Sequence, residues 1–167
     1  MTMLFPPDVM TLARAVLDSC RGRGWTLAAA ESCTGGLLLG CLTEIAGSSD
    51  VVLGGFVTYA NRQKEALGVP AALLATHGAV SAEVAAAMAT ATRAATAADV
   101  AVSITGIAGP GGGSAAKPVG LVWFGLATTE RTFTQHMIFA GDRSAVRLAA
   151  VAEGLRLLQS AARGDLT

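Results

Sequence analysis

Residues 28–36 read Ala-Ala-Ala-Glu-Ser-Cys-Thr-Gly-Gly, an apolar run that breaks into a polar turn carrying Glu31, Ser32, Cys33 and Thr34. Trp25 to Ala30 has the length and apolarity of a buried strand, and Gly35 to Ile45 places Leu38, Leu42 and Ile45 at i, i+4 and i+7, as a helix packed on a sheet would. Strand, tight turn and helix together expose a hydroxyl beside unpaired backbone N–H groups, where an anion or a developing oxyanion can be held. Ser32 or Thr34 serves equally well as the N-cap of the helix, so the turn alone leaves capping and chemistry both open.

Working outward, Asp8 to Arg21 shows 3.6-residue spacing after Pro6-Pro7 and predicts a first amphipathic helix ended by Gly22 or Gly24. On the other side, Ala46-Gly47-Ser48-Ser49-Asp50 breaks the second helix and supplies two more hydroxyls. Val51 to Tyr59 is β-branched and aromatic, with Gly54-Gly55 suggesting a bulge, and it delivers Tyr59 to the strand's end. Short helical turns follow over 60–67, carrying Lys64, and over 71–76. Ser81 to Ala98 reads as a helix capped by Ser81. Val100 to Ile104 is a strand that empties through Thr105 and Gly106 into a glycine-rich loop, a recurrent way of bringing N–H groups against a phosphate, although this loop has neither the Walker lysine nor a well-placed G-x-G-x-x-G. Val119 to Thr128 and Arg131 to Phe139 predict an antiparallel hairpin, and Asp142 caps a last helix over 143–162. Helices alternating with strands, plus a late hairpin, predict an α/β fold: one three-layer α/β/α sandwich with a mixed sheet, in a single domain over 1–167.

Composition narrows the function. Hydrophobic residues make up 52% and charged residues 14%, yet every apolar run is interrupted before the roughly eighteen residues a membrane span requires. Without a basic region leading into an apolar N-terminal core, the expectation is a cytoplasmic protein. A net charge of +0 argues against broad nucleic-acid binding. Three cysteines without C-x-x-C spacing read as reduced thiols, and two distant histidines make a zinc site improbable. Arginine occurs ten times but lysine only at Lys64 and Lys117; where arginine is so favoured, a lysine that persists invites a role arginine cannot fill, such as a neutral base. A solvated helix lysine is the plainer alternative for Lys64.

The segments AESCTGG, AGSSDVVLGGFVTYAN, LGV, HGAVS, ITGIAGPGGGSAAKPVGLVWFGLA and FAGDR, in that order, closely resemble the CinA C-terminal domain family over about Val9 to Leu158. The resemblance implies a three-layer α/β/α domain and the family's characterised activity, nicotinamide-nucleotide amidase: hydrolysis of nicotinamide mononucleotide to nicotinate mononucleotide and ammonia, in pyridine-nucleotide recycling. The pyrophosphatase-type domain that precedes it in larger relatives is not in this sequence, so the expectation is a stand-alone deamidase.

Amide hydrolysis needs a nucleophile, a base, an oxyanion site and a proton for the leaving ammonia. With the resemblance in hand, Ser32 is the expected nucleophile, Lys64 the base if it is desolvated, and Tyr59 the residue that relays or steers the proton. Ser49 and Thr105 are expected to orient water or the amide, with Ser49 an alternative nucleophile. Substrate contacts are expected from Glu31, Thr34, Gly35, Gly36 and Ser48, and phosphate contacts from Gly106, Gly109, Gly111, Gly112 and Arg143. No metal, cofactor, nucleic acid or membrane is expected; the partners are a small-molecule nucleotide and, given the apolar composition, further copies of the same chain. The rival readings are a nucleotide-binding regulatory module without turnover and an amidase for another amidated nucleotide.

Overall fold

The computed structural model describes residues 4–166. Five strands form one mixed sheet in the order β2-β1-β3-β4-β5: β1 is Leu27–Glu31, β2 Val52–Val57, β3 Val100–Gly106, β4 Leu121–Ala127 and β5 Thr132–Ile138. The first three are mutually parallel with β1 between the others, and β4 and β5 add antiparallel to β3. β1 reads as an unbroken apolar run because it is covered on both faces, and all five of its residues are buried.

Six α-helices are present among the described residues. On one face α1 (Pro7–Arg23), α2 (Leu37–Thr43) and α6 (Arg143–Arg163) pack together. Their apolar stripes meet Leu27, Val102, Ile104 and Phe124 of the sheet in the larger core. On the other face α5 (Ala82–Thr96) lies across the sheet, with α3 (Asn61–Leu67) and α4 (Ala71–His77) against it. Val84 and Met88 there join Ala30, Val69 and Leu74 in a smaller core. The three-layer α/β/α sandwich with a mixed sheet is therefore the architecture observed.

Element boundaries differ from the sequence reading by a few residues, as fraying ends do. The bulge suggested for Gly54-Gly55 falls one residue earlier: the register steps from Leu27 opposite Val52 to Ala28 opposite Gly54, so Leu53 is the extra residue. Asp142 and Ser81 cap α6 and α5 as expected, accepting from the N–H groups of Ala145 and Val84.

The parallel arrangement decides where function can lie. Because β1, β2 and β3 run the same way, the segments that follow them, beginning at Ser32, Thr58 and Ile107, emerge at one end of the sheet. Segments that precede them lie at the other end. Ligands in open α/β sheets collect beyond the carboxyl ends of parallel strands, where successive connections depart to opposite faces. Here β1 leads to α2 on one face, and β2 leads through α3 and α4 to α5 on the other.

Candidate active site

A cavity of about 280 Å³ opens at this carboxyl end, and Ser32, Lys64 and Thr105 are among the residues lining it. Its centre is a direct contact: Lys64 Nζ lies 2.9 Å from Ser32 Oγ. Lys64 is 1% exposed, among the largest fully buried side chains of the chain, although it sits on a short helix whose other residues are half-buried or exposed. Its Nζ also donates to the carbonyl oxygens of Thr58 at 2.5 Å and Tyr59 at 3.4 Å. No carboxylate is bonded to it, and burial brings its pKa down to about 8. A solvated surface lysine is therefore not what this sequence builds.

The neutral amine has two N–H bonds and one lone pair. With both N–H groups directed at the Thr58 and Tyr59 carbonyls, the lone pair faces Ser32 Oγ. That geometry suits removal of the serine proton.

Ser32 is held at the tip of its strand by its own N–H, which donates to the Ile104 carbonyl of β3. Beside it Cys33 is buried, and burial pushes its thiol up to about 11, so it stays protonated near neutrality. Ser32, with a base in contact, is the better-equipped nucleophile of the two.

The turn after Ser32 is not capped as its sequence suggests. The residue preceding α2 is Gly36, in the left-handed region at φ 98°, and neither Ser32 nor Thr34 caps the helix. The carboxylate of Glu31 does that work from the last position of β1. It accepts from the N–H groups of Gly36 (3.1 Å), Leu38 (3.1 Å) and Leu39 (2.9 Å). Glu31 is 0% exposed, so it is a structural anchor and not the substrate contact its position in the motif suggested. Thr34, Gly35 and Gly36 do not line the cavity either. Thr34 is wholly buried, and its hydroxyl finds no partner among the described residues.

The other expected residues divide between the two ends of the sheet. Thr105 lines the cavity, and its hydroxyl donates to the Ala79 carbonyl at 2.8 Å, which fixes the cavity wall at 79–80 and leaves the oxygen's lone pairs as acceptors. Tyr59 reaches Lys64 through its backbone carbonyl, whereas its phenol stands at the rim and accepts from Arg143 at 3.1 Å. Arg143, in the first turn of α6, also donates to the Gly109 carbonyl at 2.8 Å and so ties the rim to the glycine-rich loop. Gly106, Gly109, Gly111 and Gly112 line the cavity. Gly106 has a packing reason as well: a Cβ there would stand 2.7 Å from a Val122 methyl and 2.8 Å from the Leu121 carbonyl oxygen.

Ser48 and Ser49 are not brought to the cavity. They form a 3-10 turn, Ser48–Asp50, that precedes β2 and therefore lies at the opposite end of the sheet from Ser32. The turn is fastened there by Arg21, the last turn of α1, which pairs with Asp50 at 2.7 Å. Ser49 is thus placed neither as the nucleophile nor as an orienting group beside Lys64.

One residue the sequence reading did not single out touches the site. Arg147, one turn beyond Arg143 on α6, donates to the carbonyls of Cys33 at 3.0 Å and Thr34 at 3.1 Å. Its i+4 spacing from Arg143 was the available signal. The two histidines, His77 and His136, line a neighbouring cavity and not this one. Among the described residues no group of three His, Cys, Asp or Glu side chains is placed to hold a metal ion.

Comparison with known proteins adds to this geometry. Residues 9–162 match the family model for the CinA C-terminal domain. The chain is 48% identical over 153 residues to a protein of Escherichia coli K12 named nicotinamide-nucleotide amidohydrolase PncC, covering 90% of this chain and 93% of that one. It is 52% identical over 138 residues to the protein of that name from Enterobacter agglomerans, covering 81% of this chain and 84% of the relative. A CinA-like protein of Geotalea daltonii is 50% identical over 146 residues, but this chain spans only 35% of its length. Among solved structures, the competence/damage inducible protein CihA of Agrobacterium tumefaciens superposes with a TM-score of 0.91 at 46% identity, over 94% of this chain and 97% of that one.

Proposed function

Because the chain belongs to the CinA C-terminal domain family, we propose that it is a nicotinamide-nucleotide amidohydrolase, converting nicotinamide mononucleotide to nicotinate mononucleotide and ammonia with a Ser32–Lys64 pair. The observation that carries this reading is the 2.9 Å contact between Ser32 Oγ and a buried lysine that no carboxylate holds charged.

Neutral Lys64 takes the proton of Ser32 Oγ as the oxygen attacks the carboxamide carbon. The carbonyl oxygen gains charge as the tetrahedral intermediate forms. Collapse breaks the C–N bond, and the Lys64 ammonium returns its proton to the departing nitrogen, which leaves as ammonia. A water, deprotonated by the same amine, then attacks the acyl ester and releases the carboxylate with Ser32 restored. The remaining N–H donors of Arg143 and the backbone of the loop around Gly109 to Gly112 suit the nucleotide's phosphate. The same reading covers 1–167 as one amidohydrolase domain acting in the cytoplasm, where three buried free thiols are at home. It also makes the protein a homo-oligomer, supported by exposed Leu53 and Val57 on edge strand β2 and Met137 and Ile138 on edge strand β5; light scattering that returns the mass of one chain refutes that part.

The test is ammonia release from nicotinamide mononucleotide against a panel of other amidated nucleotides, after dialysis against chelator. We expect turnover to survive dialysis and Ser32→Ala to lower it by at least about a hundredfold in a folded protein. A folded Ser32→Ala chain with near-normal turnover removes the assignment, and a stronger preference for another amide corrects the substrate.

A further inference from the structure

We propose that Arg147 is a positioning residue for the reaction: from the far side of the Ser32 turn it holds the Cys33 and Thr34 carbonyls and so fixes the turn in which the Cys33 N–H, next after the nucleophile, forms the oxyanion site. This inference rests on the Ser32–Lys64 reading above.

Glu31 takes the N–H groups of Gly36, Leu38 and Leu39. Gly35 donates to the Ser32 carbonyl and Leu37 to the Thr34 carbonyl. Ser32 itself donates across to Ile104. Two N–H groups remain among the described residues of the turn. That of Cys33 has only its own thiol beside it, and that of Thr34 has no acceptor. Of the two residues Cys33 lines the cavity and Thr34 does not, so the Cys33 N–H, directly after the nucleophile, is the donor placed to reach the oxygen of an acyl group attached to it.

An unpaired buried N–H is costly and normally relaxes toward the nearest acceptor. Here relaxation is blocked from two sides. The Glu31 carboxylate ties the downstream N–H groups, and the Arg147 fork ties the two carbonyls. Fastening the Cys33 carbonyl toward α6 fixes the planar peptide directly after Cys33, so Cys33 cannot swing its own N–H away from the cavity it lines. Gly35 follows the clamped carbonyls in the left-handed region at φ +61°, which a residue with a Cβ adopts at a cost. The planar fork can hold two adjacent carbonyls at once, which a lysine ammonium on a flexible stem does poorly. Since Arg143 lines the cavity from the preceding turn of the same helix, α6 braces both the rim and the turn behind the nucleophile.

The experiment is steady-state kinetics on nicotinamide mononucleotide for wild type, Ser32→Ala, Arg147→Ala and Arg147→Lys, with melting temperatures measured alongside. Removing an oxyanion donor typically costs a hundred- to a thousandfold in kcat, so loosening one without removing it should cost Arg147→Ala about ten- to a hundredfold, with KM changed by no more than about threefold. Added guanidinium ion should restore part of that kcat and leave Ser32→Ala inactive. Arg147→Lys should lose kcat severalfold at unchanged KM, and it decides the matter if Arg147→Ala does not fold. Wild-type kcat in Arg147→Lys or folded Arg147→Ala, or a loss confined to KM, overturns the positioning role while Ser32→Ala remains inactive. An active Ser32→Ala overturns the role and the reaction assignment together.

Discussion

At the scale of the residue, the chemistry depends on the protonation of Lys64. Its burial disfavours the ammonium and no carboxylate restores it, which brings its pKa to about 8. Only the neutral amine accepts the serine proton, so kcat/KM should rise about tenfold per pH unit on the acid side and level off above about pH 8. A profile flat between about pH 6 and 9 contradicts this. Stability follows the same ionisation. Between about 8 and the ordinary lysine range the unfolded chain binds more protons than the folded one, so folding gains as pH rises through that window, and below it the buried ammonium is a standing cost. Replacement tests the role directly. Lys64→Arg keeps a positive charge but has no accessible neutral form, so it should lose turnover almost as fully as Lys64→Ala. A largely active Lys64→Arg chain shows that the residue steadies charge and moves no proton.

At the scale of the element, the turn from β1 into α2 is held by one side chain. Glu31 satisfies three N–H groups at the start of a helix only seven residues long, which has little stability of its own. Glu31→Gln keeps the shape but turns an NH₂ group toward donors, leaving buried N–H groups unpaired. The expected loss is about 2–4 kcal/mol of unfolding free energy, read from denaturant melts. A loss below about 0.5 kcal/mol shows that the turn closes without the carboxylate. Because the turn carries Ser32, turnover should fall in the same variant, further than the folded fraction accounts for.

At the scale of the whole molecule, strand direction sorts the hydroxyls. Ser32 and Ser49 both lie in polar turns next to buried strands, but one follows β1 and the other precedes β2, and parallel pairing puts those turns at opposite ends of the sheet. Ser49→Ala should therefore keep turnover within about twofold of wild type, as a surface change away from the site does. A large loss of kcat in that variant would mean that the chemistry is not where the Ser32–Lys64 contact puts it.

Local pattern by itself determined the elements: apolar runs of strand length, 3.6-residue stripes on α1, α5 and α6, the Asp142 and Ser81 caps, and the alternation that makes an α/β sandwich. These depend on neighbours a few residues apart, so sequence carries them. The motifs resembling the CinA family also pointed to Ser32 and Lys64, although nothing local distinguished Lys64 from a solvated helix lysine. What the tertiary structure decided is whatever depends on distant partners. Lys64 became a buried amine because α3 folds over the end of β1, thirty-two residues away in sequence. Glu31 changed from substrate contact to helix anchor because the turn curls its own N–H groups back onto the carboxylate. Arg147 joined the site because α6 packs behind a turn more than a hundred residues earlier. Ser49 left it because the direction of one strand relative to another is written in the sheet's pairing and not in either strand's sequence.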